Sequence, residues 1–397
     1  MDELFFSTFY LKKKEEQLFC SLPTTAYIQY KNFRINLLTG ERKEASVDYF
    51  LREMDHYRLD QNYESPIVIH LFYELGHFVN ELYDQLDETK PLGIIIHYSK
   101  VEHFPLMSQK TSETFRFKPL SKLSFELYQK KFQEVYRHLY DGDCYQINLT
   151  FPFYFRAEKA ISPHDYLQHL WKKSQKVGAY AHATYIDSLG KLFLSNSPEC
   201  LFQVVENKKK LWLRTMPIKG TMAIKKEKNR KQTWKKLKGS LKDQAELFMI
   251  ADLLRNDLTA LSSNVSNVLY KKYPLHVPGL IHQFSLIETQ IDHKKTIADI
   301  IWNLFPGGSI TGTPKKRVMQ ITHEVEGCDR GFYCGSTILL YKSVKTASIN
   351  IRSIEVDYLQ DEIKYGAGGG ITLQSQAKEE YNEVLAKLKS FLLLLSN

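Results

Sequence analysis

Several short segments of this 397-residue chain carry chemically useful side chains at telling spacings. In Pro217-Ile-Lys219-Gly-Thr221 a lysine stands between a strand end and a glycine. An apolar setting lowers an amine's pKa and makes it a nucleophile; a single lysine is more often a solvated surface group. Glu199 closes Ser195-Asn-Ser-Pro-Glu199, Glu246 sits among apolar neighbours in Ala245–Ile250, and Glu379, Glu380 and Glu383 open a C-terminal helix. Carboxylates from separate helices are the donors a hard cation such as Mg²⁺ takes; taken singly, each is equally a salt-bridged or solvated acid. Gly366-Ala367-Gly368-Gly369-Gly370 lets the backbone approach a ligand, and its N–H groups can converge on an anion. It is not a dinucleotide fingerprint, because Ile371 takes the last glycine position. A tight strand bend or bulge is the plainer alternative. Pro306-Gly-Gly-Ser-Ile-Thr311-Gly-Thr-Pro-Lys315 is not a P-loop, since Gly312 precedes Thr313-Pro314 and not Lys-Ser/Thr. It does set Thr311 beside a helix start whose free N–H groups suit an anion, or are simply capped.

The elements that position these groups read as follows. Phe125, Tyr128, Phe132, Val135, Tyr136 and Leu139 recur at helical steps after Ser124. Ser162-Pro163-His-Asp165 starts a second helix, with cap, proline and acid in order. Further helices are expected at 241–256, 296–304, 314–326 (closed by Gly327) and 376–395. Strands are expected at 145–155, 178–187, 191–195, 199–206, 210–215, 265–273, 282–291, 334–342, 347–356 and 362–365, the last ending before the glycine run. Residues 1–120 show strand-like runs at 25–30, 67–71 and 93–97 and few chemical signals. Strands with interspersed helices, lacking strict βαβ alternation, predict an α+β fold with large antiparallel sheets.

Composition narrows the classes. Hydrophobic content of 43% and aromatic content of 13% supply a core and exclude a disordered chain. Five scattered Cys without a C-x-x-C pair argue against a disulfide framework or a zinc ribbon. The acidic N-terminus is no signal peptide, and no apolar run approaches the roughly 20 residues of a bilayer span. A soluble cytoplasmic protein with no membrane partner is expected. The net charge of +9 raises nucleic-acid binding as a rival reading. However, residues 225–242 hold nine Lys or Arg and one Glu, so nearly all the excess lies in one segment. No nucleic-acid-binding motif accompanies it, and no nucleic-acid partner is expected. A solvated loop and helix is the plain reading; drawing in an anionic substrate or docking an acidic subunit are others.

Seven segments occur in a telling order: Tyr145-Gln-Ile-Asn148-Leu, the Glu199 and Lys219 motifs, Glu246 to Asp257, Pro306 to Lys315, Arg330-Gly-Phe-Tyr333-Cys-Gly335 and Gly366 to Ile371. Together they resemble the chorismate-utilising enzymes: anthranilate, aminodeoxychorismate, isochorismate and salicylate synthases. The resemblance covers about 121–397, implied to be the chorismate-binding catalytic domain, with 1–120 an N-terminal region packed on it. It implies two large facing antiparallel β-sheets with helices outside and a site between them. It implies Mg²⁺ on Glu246 and Glu383 and the enolpyruvyl carboxylate on Arg352, Tyr333 and the backbone of Gly366, Ala367, Gly368 and Gly369. Thr311, Lys315 and His282 are implied near the ring.

Lys219 selects within the family. Anthranilate synthases carry Ala at this place and aminodeoxychorismate synthases Lys, so the resemblance is closest to component I of the latter. It implies attack by Lys219 at C2 of chorismate, with Glu199 as acid and then base, and ammonia entering at C4. Anthranilate synthase component I is the nearest alternative. No glutaminase motif is present, so ammonia is expected from solution or from a glutamine amidotransferase subunit. The family's His-Leu-x-Ser is here His282-Gln-Phe-Ser285, and the first 120 residues lack the Leu-Leu-Glu-Ser signature of a regulatory site.

Overall fold

The computed structural model describes residues 4–12, 14–105, 114–171, 177–224, 229–262, 264–277 and 280–396. Part of the basic segment, 225–228, lies outside them. Among the described residues every strand pairing is antiparallel. The ladder runs Phe117–Pro119, Gln146–Ala157, Glu362–Ile371, Ser353–Asp357, Lys191–Ser195, His182–Ile186, Phe5–Leu11 and Glu16–Gln29. It continues through Gly93–Pro105, Tyr63–Leu71, Ser336–Lys342, Val344–Ile349, Cys200–Asn207, Lys210–Met216 and Leu280–Ile291. Ile218–Ala223 and Asn267–Val277 pair with this last strand. Strands from the first 120 residues are thus neighbours of strands near residues 184 and 339.

The ladder folds over so that its two halves face each other, and period-two alternation shows it. In Tyr63–Leu71, Ile67, Ile69 and Leu71 enter an outer cluster beneath helices Val47–Glu53, Leu241–Ala260 and Ile297–Leu304. Val68 enters an inner cluster with Phe9, Ile94, Phe193 and Phe332, from both halves. Between them His70 bonds Thr184 Oγ1 on the facing half at 2.9 Å and Thr337 Oγ1 at 2.9 Å. Ser7 joins Thr184 and Tyr98 at 2.7 Å each. These polar groups are fully buried, so each needs such a partner. Burial holds the His70 imidazole neutral, well below its usual pKa. A second outer cluster lies beneath Phe125–Tyr140, Pro163–Trp171, Lys315–Glu326 and Ala377–Ser396.

The first of these helices shows why the sequence reading succeeds. Ser124 Oγ accepts from Leu127 N, and Tyr128, Phe132, Val135 and Leu139 are buried. Each such side chain contributes about 1.5–3 kcal/mol by leaving water. Gly327 ends its helix at φ +61°, as expected. The glycine run behaves differently. It is neither bend nor bulge but the second half of a regular strand, Glu362–Ile371, paired residue by residue with Ile147–Phe155. No described helix is long and apolar enough to cross a membrane.

Candidate active site

Lys219 lies on Ile218–Ala223, opposite Gln283 in the ladder. The register slips between Lys219 and Thr221, and Gly220 takes φ +79°. Only glycine suits this irregularity, since a Cβ there would also stand 3.0 Å from Asp243 Cβ. The Lys219 amine is held below its usual pKa, chiefly by burial. Glu246, Glu199 and Glu383 pull the other way, and Lys387 adds to the fall. Groups from four segments therefore share one space, and desolvation outweighs three carboxylates.

Glu199 is 3% exposed. Its backbone is fixed first: its N–H donates to Ser197 Oγ at 3.1 Å, and its carbonyl accepts from Ile349 N at 3.1 Å. Oε1 is buried without a hydrogen-bond partner. Burial pushes the carboxyl up to about 7, against the opposing pull of Ser309, Lys219, the Ile218 N–H and Arg352. A carboxylic acid poised near neutrality can give and take a proton.

Arg352 has φ +52°, uncommon for a side-chain-bearing residue. Its guanidinium donates to His282 Nε2 at 3.3 Å. Nε2 therefore accepts, and burial with Arg352 and Lys387 drives the imidazole down to about 3. His282 is a neutral hydrogen-bonding group here. Burial also lowers the Arg352 pKa, with Tyr365 and Glu199 opposing.

The glycine strand makes room for its neighbours. A Cβ at Gly366 would strike the Tyr333 ring, and one at Gly370 would strike Gln146. One at Gly369 would stand 3.5 Å from Glu380 Oε2 and 4.0 Å from Lys387 Nζ. Lys387 donates to Gly368 O at 2.7 Å and pairs with Glu383 at 2.8 Å. Ala367 points the other way, into the second outer cluster.

Two expected ring contacts are otherwise engaged. Thr311 Oγ1 donates to Gly307 O at 2.5 Å and is fully buried. Lys315 Nζ lies 2.9 Å from Asp257 and donates to Asn303 O at 3.0 Å. Conversely, the sequence reading missed Lys387, Ser309 and Gln146. Ser309 lies two residues before Thr311 in the same motif, and Gln146 is fully buried with both amide atoms unpartnered. Lys387 stands one helical turn after Glu383, the one signal that could have found it.

Among the described residues, no group of three or more His, Cys, Asp or Glu gathers as a self-sufficient metal cage. Glu246 and Glu383 nevertheless both bear on the Lys219 amine. Two carboxylates from separate helices fit Mg²⁺, which keeps waters and takes further oxygens from substrate.

Residues 29–393 match the chorismate binding enzyme family. This chain belongs to that family. It is 35% identical over 278 residues to aminodeoxychorismate synthase component 1 of Escherichia coli K12, covering 68% of this chain and 58% of that relative. The Salmonella typhimurium protein of the same description is 33% identical over 273 residues, with the same coverage. The chain thus spans under two thirds of these relatives' length. Anthranilate synthase component I from Streptococcus pneumoniae TIGR4 superposes with a TM-score of 0.76 at 19% identity, covering 95% and 92% of the two chains. This likeness shows that the fold is that of a chorismate binding enzyme, with facing antiparallel sheets and helices outside.

Proposed function

We propose that this chorismate binding enzyme is a component I aminodeoxychorismate synthase that aminates chorismate at C4. The observation carrying the reading is a desolvated Lys219 amine beside an acid, Glu199, poised near neutrality. The lowered pKa leaves more of the amine neutral and nucleophilic near pH 7. The Lys219 Nζ–C2 bond forms as the ring double bonds shift and the C4–O bond breaks. Glu199 gives its proton to the departing hydroxyl, which leaves as water. Ammonia then attacks C4, the double bonds shift back, and the Lys219–C2 bond breaks. Glu199, now ionised, takes the proton released by the attacking ammonia. Two displacements give net retention at C4. Arg352 suits a substrate carboxylate, with neutral His282 orienting its guanidinium. The product, 4-amino-4-deoxychorismate, feeds para-aminobenzoate and folate synthesis. The name component 1 on the relatives supports a separate amidotransferase subunit as the ammonia source.

Incubation with chorismate, Mg²⁺ and ammonium should yield aminodeoxychorismate. Anthranilate fluorescence without it would overturn the reading. Mg²⁺ held by Glu246 and Glu383 would neutralise the ring carboxylate of chorismate. With chorismate present, added Mg²⁺ should raise the melting temperature of the parent and not of Glu246→Gln. An equal rise in both would remove Glu246 from the metal's ligands.

A further inference from the structure

The chain crosses between the two halves of the ladder twice at one place. Ser195 ends a strand of the first half, and Cys200 begins one of the second. Likewise Ile349 ends a strand of the second half, and Ser353 begins one of the first. Ser195 is paired with Ser353, and Cys200 with Ser348. The two connections, 196–199 and 350–352, therefore run side by side. Neither has a ladder to satisfy its backbone, yet Asn196, Ser197, Glu199 and Asn350 are buried, so other partners are needed. One connection carries Glu199 and the other Arg352, the groups assigned above to proton transfer and to a substrate carboxylate.

Hydrogen bonds tie the two connections together. Asn196 N donates to Arg352 O at 3.0 Å, and Ser195 Oγ to Ile351 O at 3.3 Å. Ile349 N donates to Glu199 O at 3.1 Å. Between these lies Ser197, fully buried. Its hydroxyl donates to Ile349 O at 2.5 Å and accepts from Glu199 N at 3.1 Å, so one side chain joins both main chains at the acid. Pro198 adds no N–H and fixes its own φ, which limits how the segment can bend. On the far side Gly178 N donates to Asn196 Oδ1 at 2.6 Å, and a Cβ on Gly178 would strike the Asn196 and Ser197 carbonyls. The left-handed backbone of Arg352, a conformation that persists only where its surroundings enforce it, is thus held from across the gap.

We propose that Ser197 is a positioning residue that fixes the span between Glu199 and Arg352. This rests on the reading of Glu199 as the acid and of Arg352 as the carboxylate's partner. In chorismate the enolpyruvyl ether stands on C3 and the departing hydroxyl on C4, side by side on the ring. An enolpyruvyl carboxylate held at Arg352 therefore brings the C4 hydroxyl to one place, and Glu199 must stand at that place for its proton to pass. Alanine at 197 leaves the buried Glu199 N–H without its acceptor, which is costly unless the backbone moves. The acid then shifts, while Arg352 keeps its bond from Asn196 N. Binding survives and proton transfer suffers.

The test uses the full chain with chorismate, Mg²⁺ and ammonium, and compares Ser197→Ala, Glu199→Gln and the double variant. Ser197→Ala should lower kcat by up to about 10²-fold, the scale of a misplacement of about 1 Å, and change the KM for chorismate far less. Added to Glu199→Gln it should cost nothing further, because the group it misplaces is already gone. A merely structural role would lower the rate by the same factor in both backgrounds. Equal factors, or a Ser197→Ala with the parent's kcat, would overturn the proposal. Should Ser197→Ala fail to fold, Ser197→Cys decides, because a thiol nearly keeps the volume and is only a weak donor and acceptor. It must then show the loss in the parent and none in Glu199→Gln; the parent's kcat, or equal factors, overturns the proposal. A fully active Glu199→Gln would remove the acid reading and this role with it, whereas a crippled Glu199→Gln with equal factors removes the positioning role alone. Product identity, read in the same reactions, tests the C4-amination reading separately.

Discussion

Lys219→Ala should lose chorismate amination by on the order of 10³-fold or more, the scale of losing a covalent nucleophile. Among the described residues, the one other lysine that bears on the Lys219 amine is Lys387. It is bonded to Gly368 O and Glu383. Folding should survive, because alanine removes a buried amine whose charging burial already disfavours and leaves the Gly220 irregularity of the strand intact. The loss should fall on kcat, with the KM for chorismate changed far less, since the group proposed to hold a substrate carboxylate is Arg352 and not Lys219. A second measurement goes to the intermediate itself. The parent, quenched with chorismate in the absence of ammonium, should carry a chorismate-derived adduct on the peptide containing Lys219. A fully active alanine variant, or an adduct on another residue, would remove Lys219 from the nucleophilic role.

The second large effect couples activity to stability. Glu199→Gln should cost about 10²–10⁴-fold in rate, the range for a lost general acid, and yet stabilise the fold above neutral pH. The sign follows from the raised pKa. The unfolded carboxyl ionises near its usual 4.5 while the folded one holds its proton to about 7. The folded state is therefore favoured most below pH 4.5 and loses that advantage as pH rises to 7. The full cost above pH 7, about 2.5 pK units, is about 3 kcal/mol. Glutamine does not titrate and avoids it. The melting temperature of the variant should exceed that of the parent at pH 8 by more than it does at pH 5. A gap independent of pH would mean that Glu199 is not held protonated by burial. A site that costs stability for chemistry in this way is a common trade.

The parts of the molecule that speak locally were readable from the sequence. Helix Phe125–Tyr140 announces itself by period and cap, and Gly327 by its place after the last apolar turn. Lys219, Glu199, Glu246 and Glu383 each sit in a short motif, and the three carboxylates all bear on the Lys219 amine. What escaped depends on contacts between distant segments. The glycine run has turn-like composition but is a strand, because its pairing with Ile147–Phe155 overrides local preference and its missing side chains are filled by Tyr333 and Gln146. The pairing of Lys315 with Asp257, on another helix, leaves no local trace. Arg330 reads as one basic residue in a loop; its grip on Asn148 spans 182 residues and leaves no periodic trace.

The order of the ladder also bears on how the chain is made. Strand Tyr63–Leu71 has Ser336–Lys342 for one neighbour, and His70 bonds Thr337, 267 residues later. At translation rates of about 5–20 residues per second, that neighbour arrives tens of seconds after the early strand leaves the ribosome. Until then the early strand presents a raw edge, rich in Ile and Val, to whatever is near. Such non-local pairing slows folding and leaves the nascent chain dependent on protection from its neighbours.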